Sequence, residues 1–231
     1  MKKIIILICV LLLTGTAWAV SLIGSGIDGD ECDGALVCQN FEGTGYDNGE
    51  SWTAESSCDP DYDGSNVLRG DQALEMSYDN SAPDAYVDFT GTSEVWAHAM
   101  WQATYIGTAV VPIIEILNSD GSEVIFSVNV STSKFALFCG TEYVSYTATI
   151  STDTEYHIWL HLDGVDQEGE LYIGTSATRP ASPVASVTNG DNTDSSMARF
   201  NVTGSSYADS SDYGYFDQVV VMATEFTSVG D

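Results

Sequence analysis

All three histidines of this 231-residue chain lie on two short segments, each beside a tryptophan, and their spacing limits what they can do. In "EVWAHAMWQATY" (94–105), Trp96, His98, Met100 and Gln102 alternate with Val95, Ala97, Ala99, Trp101, Ala103 and Tyr105. In "EYHIWLHLD" (155–163), His157, Trp159 and His161 alternate with Tyr156, Ile158, Leu160 and Leu162. A period of two places each set on one face of a strand. The more uniformly apolar sets face the core, so Trp96, His98, His157, Trp159 and His161 point away from it. Flat aromatic rings stack on the apolar face of a sugar while neighbouring polar groups fix its hydroxyls, so these five form a candidate ligand-binding patch. Packing beneath a covering loop is the rival reading. A transition metal held by the three histidines would need the two strands adjacent and in register.

Carboxylates are the second candidate chemistry. "DPDYDGSN" sets Asp59, Asp61 and Asp63 before Gly64, like the opening half of an EF-hand loop. Loop position twelve is Gly70 where a bidentate Glu is required, and no helices flank it, so an EF-hand is excluded. A looser Asp-rich Ca²⁺ loop and a solvated acidic turn remain. Asp166, Glu168 and Glu170 have the alternation of a glycosidase strand, yet they sit in the turn-forming "DGVDQEGE". Nucleophile-elbow, zinc-protease and phosphate-loop motifs are absent. The sequence therefore favours binding over catalysis.

Export sets the context. Lys2-Lys3, an apolar run and Ala17-x-Ala19 have the three parts of a secretory signal, so residues 1–19 read as a signal peptide. Extracellular, periplasmic or cell-surface localisation follows, with no membrane insertion. Once both lysines are removed, Arg69, Lys134, Arg179 and Arg199 are the only cations against 34 acidic residues. Such a surface repels nucleic acid, anionic lipid and anionic polysaccharide and attracts cations. A saline habitat accounts for the same composition. Cys32, Cys38, Cys58 and Cys139 remain after cleavage, an even number that suggests two disulfides in one of three pairings. The short "CDGALVC" loop suits Cys32 with Cys38, which leaves Cys58 with Cys139. Asn129 and Asn201 each open an N-x-Ser/Thr glycosylation pattern.

The elements that must position these residues are strands. After a Gly- and Asp-rich leader (20–35), runs rich in Val, Ile, Tyr, Phe and Thr recur between Gly, Asn, Asp and Ser clusters. Twelve strands are expected, near 36–42, 72–78, 85–90, 94–105, 111–117, 123–130, 134–139, 142–149, 155–163, 169–175, 197–203 and 213–224. Residues 184–196 read as one long loop. No helix pattern and no internal repeat intervenes, so residues 36–231 read as one all-β domain, a two-sheet antiparallel β-sandwich or jelly roll.

The chain resembles the concanavalin A-like lectin and glucanase superfamily, in particular its laminin G-like jelly rolls. "CQNFEGTG" (38–45), "EVWAHAMWQATY", "EYHIWLHLDGVDQEGELYIGT" (155–175) and "YGYFDQVVVM" (213–222) carry the likeness. The resemblance implies a structural Ca²⁺ between the first and last strands, with Glu42 and Asp217 at the ligand positions. Together with the aromatic patch and the acidic surface, it points to a neutral glycan or cell-surface polysaccharide as partner. A structural, adhesive or self-associating surface protein is the alternative, and a glycan-cleaving enzyme ranks third.

Overall fold

The computed structural model describes residues 32–41, 52–54, 61–63, 67–70, 72–77, 84–204 and 212–229. Residues 1–19, most of the 20–35 stretch, Glu42, Cys58 and Asp59 lie outside the described residues. Fifteen strands make up the described part: β1 (Val37–Gln39), β2 (Thr53–Ala54), β3 (Asp61–Asp63), β4 (Ala73–Ser77), β5 (Asp84–Thr92), β6 (Glu94–Ala103), β7 (Val111–Leu117) and β8 (Val124–Ser131). They continue with β9 (Lys134–Cys139), β10 (Glu142–Thr147), β11 (Tyr156–Asp163), β12 (Glu168–Gly174), β13 (Ala185–Val187), β14 (Met197–Thr203) and β15 (Tyr213–Met222). All twelve expected strands are present. β2, β3 and β13 are additional, and β13 falls inside the expected 184–196 loop, pairing with β12 through Gly169, Glu170 and Leu171.

Two antiparallel sheets stack face to face. One has eight strands in the order β13-β12-β11-β6-β15-β4-β3, with β1 also on β15, and the other seven in the order β10-β9-β8-β7-β14-β5-β2. The core between them takes Val95, Ala97, Ala99 and Trp101 from β6 and Ile158, Leu160 and Leu162 from β11. Across the gap stand Ile114, Ile116, Phe126, Val128, Phe135, Leu137, Phe200 and Val202. These are the apolar halves of each alternating pattern, as the two-residue period of a strand demands.

Strand β15 changes partner along one edge. Tyr213–Phe216 pair with β4, and Val219–Val221 pair with β1. At that seam a bulge inserts one residue between Asp217, opposite Met100, and Val220, opposite His98. Gln218 takes up the extra residue with φ at 45°, a conformation more often adopted by glycine or asparagine.

The cysteines depart in part from expectation. Cys32 and Cys38 are bonded, with Cα atoms 5.5 Å apart. Cys139 is a free, buried thiol instead of the partner of Cys58. Its sulfur lies 3.2 Å from the Asn192 amide and 3.6 Å from Gln167 Oε1, so the 184–196 connection closes over it. Asp61 and Asp63 belong to strand β3, paired with β4, while the rest of the Asp-rich stretch around them lies outside the described residues.

Candidate functional site

The expected His/Trp patch forms on the predicted side but is roofed over. β6 and β11 are adjacent, with Trp159 opposite His98 and His161 opposite Trp96. The outer face they share is then covered by the chain's own ends. Trp159, Tyr172, Ala177, Val220 and Val229 form a second apolar cluster there, with Cys32, Cys38, Met222 and Phe226 against it. Phe226 packs 5.3 Å from the Trp159 ring, and Trp159 is 1 % exposed. An open aromatic platform at His98, His157 and Trp159 is thus replaced by a packed layer. The apolar area of those rings demands cover, and residues 223–229 supply it.

Beneath this cover the histidines form a polar chain. His98 Nδ1 stands 2.8 Å from the Gln218 carbonyl, which fixes a hydrogen on that nitrogen. Its Nε2 is then the acceptor for His157 Nδ1–H at 2.9 Å. His157 Nε2 stands 3.4 Å from Glu155, and Glu155 is gripped by both terminal nitrogens of Arg69 at 3.1 Å. The Arg69 amide donates to Asp217 Oδ2 at 2.8 Å, and the Gln218 amide to Asp217 Oδ1 at 2.7 Å. Burial, and then the neighbouring His157, lower the His98 pKa to about 3, so His98 is neutral. The neighbouring His157 ring, and then the Arg69 charge, hold Glu155 below its ordinary range. This chain spans β6, β11 and the β15 bulge, and its geometry is that of a structural clamp.

Trp96 and His161 reach the rim, but their faces are occupied. Their rings stack at 3.9 Å, and Arg179 lies 4.6 Å over Trp96 and 4.9 Å over Tyr172. His161 sits between Glu94 at 3.2 Å and Glu170 at 3.4 Å. Burial and the Glu170 contact push the Tyr172 hydroxyl up to about 12. A cavity of about 190 Å³ opens beside His161, Glu168, Glu170 and Thr188. The three histidines do not converge on one point. Among the described residues, no three His, Cys, Asp or Glu side chains gather in a metal-holding group.

The opposite sheet presents chemistry that the reading of the sequence missed. Residues that face each other across the seven strands form one transverse row. Tyr143 of β10 opposes Phe138, Phe138 opposes Ser127, and Ser127 opposes Glu115. Glu115 opposes Asn201, Asn201 opposes Tyr86, and Tyr86 opposes Thr53. Their strand neighbours Ile116, Phe200 and Val87 lie in the core, so the row faces outward. Phe138 and Tyr143 stack at 4.9 Å at one end.

The middle of the row is tightly organised. The Asn201 amide nitrogen donates to Glu115 Oε2 at 3.0 Å and to Asp84 Oδ1 at 3.2 Å. The Asn201 carbonyl oxygen is buried without a hydrogen-bond partner. Burial first, and the Asp84 carboxylate after it, raise the Glu115 pKa. Arg199, on the same face of β14, forms a two-toothed pair with Asp88 at 2.7 and 3.2 Å and lies 3.7 Å over the Tyr86 ring. Signals for this site existed: one Glu inside the apolar run "VPIIEIL", and Arg199 alternating with Asn201 in "MARFNVT". Asn201 is 7 % exposed, so of the two glycosylation patterns this one is inaccessible.

No family model matches the sequence, and no curated protein matches it. Solved structures match in shape. The endo-β-1,4-glucuronan lyase of the fungus Trichoderma reesei superposes with a TM-score of 0.60 at 16% identity, over 85% of this chain and 99% of that one. The cellulose-induced protein Cip1 gives 0.59 at 13% identity, over 82% and 98%. A sialidase gives 0.59 at 12% identity over 83% of this chain. The fold is a concanavalin A-like jelly roll. This chain spans only 19% of the sialidase, and 49% of a botulinum neurotoxin type C structure whose description names two ganglioside molecules (TM-score 0.56, 10% identity, 85% of this chain).

Proposed function

We propose that this chain is a carbohydrate-binding β-sandwich whose ligand lies across the outer face of the seven-stranded sheet. The observation that carries this reading is the transverse row from Tyr143 to Thr53. It offers the exposed ring of Tyr143 beside Phe138, with hydroxyl, carboxylate and amide groups of Ser127, Glu115 and Asn201 following along the row. Stacking surface with interleaved hydrogen-bonding groups is the chemistry of sugar recognition. The 34 acidic residues favour a neutral glycan over an anionic one. Export through residues 1–19 belongs to the same reading, as does a structural Ca²⁺ held by Asp217 with Glu42. Asp217 places a carboxylate at the β15 bulge, and hard oxygen ligands are what Ca²⁺ takes.

Binding of the full chain to a broad glycan array tests the proposal. Saturable binding to a neutral glycan, weakened at least tenfold by Tyr143→Ala and unchanged by Trp96→Ala, is expected. Silence across the array overturns it. One observation favours a second reading, self-association at a surface: edge strand β10 exposes Tyr143, Val144 and Tyr146. Concentration-dependent oligomers abolished by a charged substitution at Val144 would mark that role.

A further inference from the structure

We propose that one edge of the sandwich holds a further binding site, a pocket for a single neutral aromatic ring that carries a hydrogen-bond acceptor. A cavity of about 200 Å³ runs in there between the two sheets. The seven-stranded sheet lines it with Phe135 of β9, Tyr146 of β10, and Ala148 and Ile150 just beyond β10. The eight-stranded sheet lines it with Tyr156 of β11 and Ile173 of β12. Phe135 and Tyr156 are buried at its inner end, and Tyr146 is exposed at its mouth.

The topology explains why the edge is open at this point. β13 pairs with β12 only at Gly169, Glu170 and Leu171, so it stops short of Ile173. On the facing sheet Tyr146 pairs with Phe135, and the Ala148 and Ile150 amides donate to the Ser133 and Thr132 carbonyls. Those two bonds hold the other wall in place beyond the end of β10. The pocket is separate from the outward row of the same sheet. Phe138 and Tyr143 belong to that row, and strand alternation turns Phe135 and Tyr146 to the opposite side, where Phe135 joins the core.

Three features select the occupant. The first is size and shape, since an apolar cavity of roughly 150 Å³ already takes a benzene-sized ring. Phe135 and Tyr156 stand edge to face, 5.5 Å apart at 70°, so a flat ring meets both a face and an edge. The second is charge. No residue lining the cavity is charged, so nothing there compensates a buried ion, and the 34 acidic residues repel an anion at long range. The third is a polar handle. The Tyr156 hydroxyl accepts from the Ser151 amide at 3.0 Å, and among the described residues no acceptor takes its own hydrogen. That O–H is a donor for a carbonyl or ether oxygen on the ring. Water is a poor substitute, because it needs about two to four polar partners and these walls are mostly carbon.

The test titrates the full chain with three probes, followed by NMR: acetophenone, ethylbenzene as its counterpart without the oxygen, and benzoate as the anion. Acetophenone should bind saturably with a Kd of about 1 mM or tighter, and its ring protons should contact the methyl groups of Ile150 and Ile173. Ethylbenzene should bind about three- to tenfold more weakly, the worth of one hydrogen bond, and benzoate not at all. Tyr156→Phe should bring acetophenone to the ethylbenzene level, and Ala148→Phe, which fills the cavity, should abolish binding of both. Thermal unfolding checks that the variants fold, and the methyl contacts place the ring with no substitution at all. Absence of saturable binding, equal binding of acetophenone and ethylbenzene, or contacts to other methyl groups overturns the proposal. Loss of binding as oligomers form with rising protein concentration gives the mouth to a second copy of the chain and overturns it as well.

Discussion

His98 shows how much one buried side chain can reveal about acid sensitivity. Its ring is 1 % exposed, donates to Gln218 and accepts from His157, and its pKa is lowered to about 3. In the unfolded chain a histidine titrates near 6.5. Between about 3 and 6.5 the unfolded state therefore binds a proton that the folded state refuses, so stability falls as pH drops through that window. Each pH unit there removes up to about 1.4 kcal/mol for this one group. Glu155, held below its ordinary range, loses stability in the same direction as it protonates. In thermal unfolding, Tm should fall more steeply between pH 7 and 4 in the native chain than in His98→Gln; identical pH slopes in the two would contradict the clamp. Cys139 gives a second residue-scale test. Burial pushes its thiol up to about 11, so iodoacetamide should leave it intact in the folded protein and alkylate it once denaturant opens the 184–196 connection.

At the scale of elements, the alternating patterns were legible and their surroundings were not. Trp96, His98, His157, Trp159 and His161 point away from the inter-sheet core, as a period of two requires. The period says nothing of what lies on that outer side, because the cover comes from residues 223–229, far away in sequence. For the same reason the alternating pattern did not single out Glu115. Its partner Asn201 is 86 positions away and meets it only when β14 pairs with β7. The bulge at Gln218 was also hidden, since an inserted residue leaves no mark in an alternating valine run. The covering segment makes its own prediction. Deleting residues 226–231 should strip Phe226 and Val229 from Trp159 and its neighbours, costing about 2–4 kcal/mol. Binding of a hydrophobic dye at the newly opened face should accompany that loss; an unchanged Tm would show that the segment does not secure the sheet.

At the scale of the whole molecule, charge sets the response to ions. The formal net charge of −28 makes the compact state repel itself. The few cations are committed locally: Arg199 to Asp88, Arg69 to Glu155 and Arg179 to Glu225. Screening weakens those pairs too, but acids outnumber bases by 34 to 6, so repulsion is the larger effect. Tm should therefore rise with NaCl, most steeply below about 0.2 M, where the Debye length shrinks toward 8 Å and less. A specific Ca²⁺ at Asp217 would behave differently from this ion cloud. It would raise Tm at low millimolar concentration in a background of 0.5 M NaCl, where diffuse screening is already complete. Mg²⁺ at the same concentration should do less, because it demands a smaller and more regular oxygen shell. Asp217→Asn should remove the Ca²⁺-specific increment and leave the NaCl-dependent rise intact. If Ca²⁺ and Mg²⁺ act alike and the substitution changes neither, the acidic surface holds only a diffuse cloud, and the clamp beneath the sheet stands without a metal.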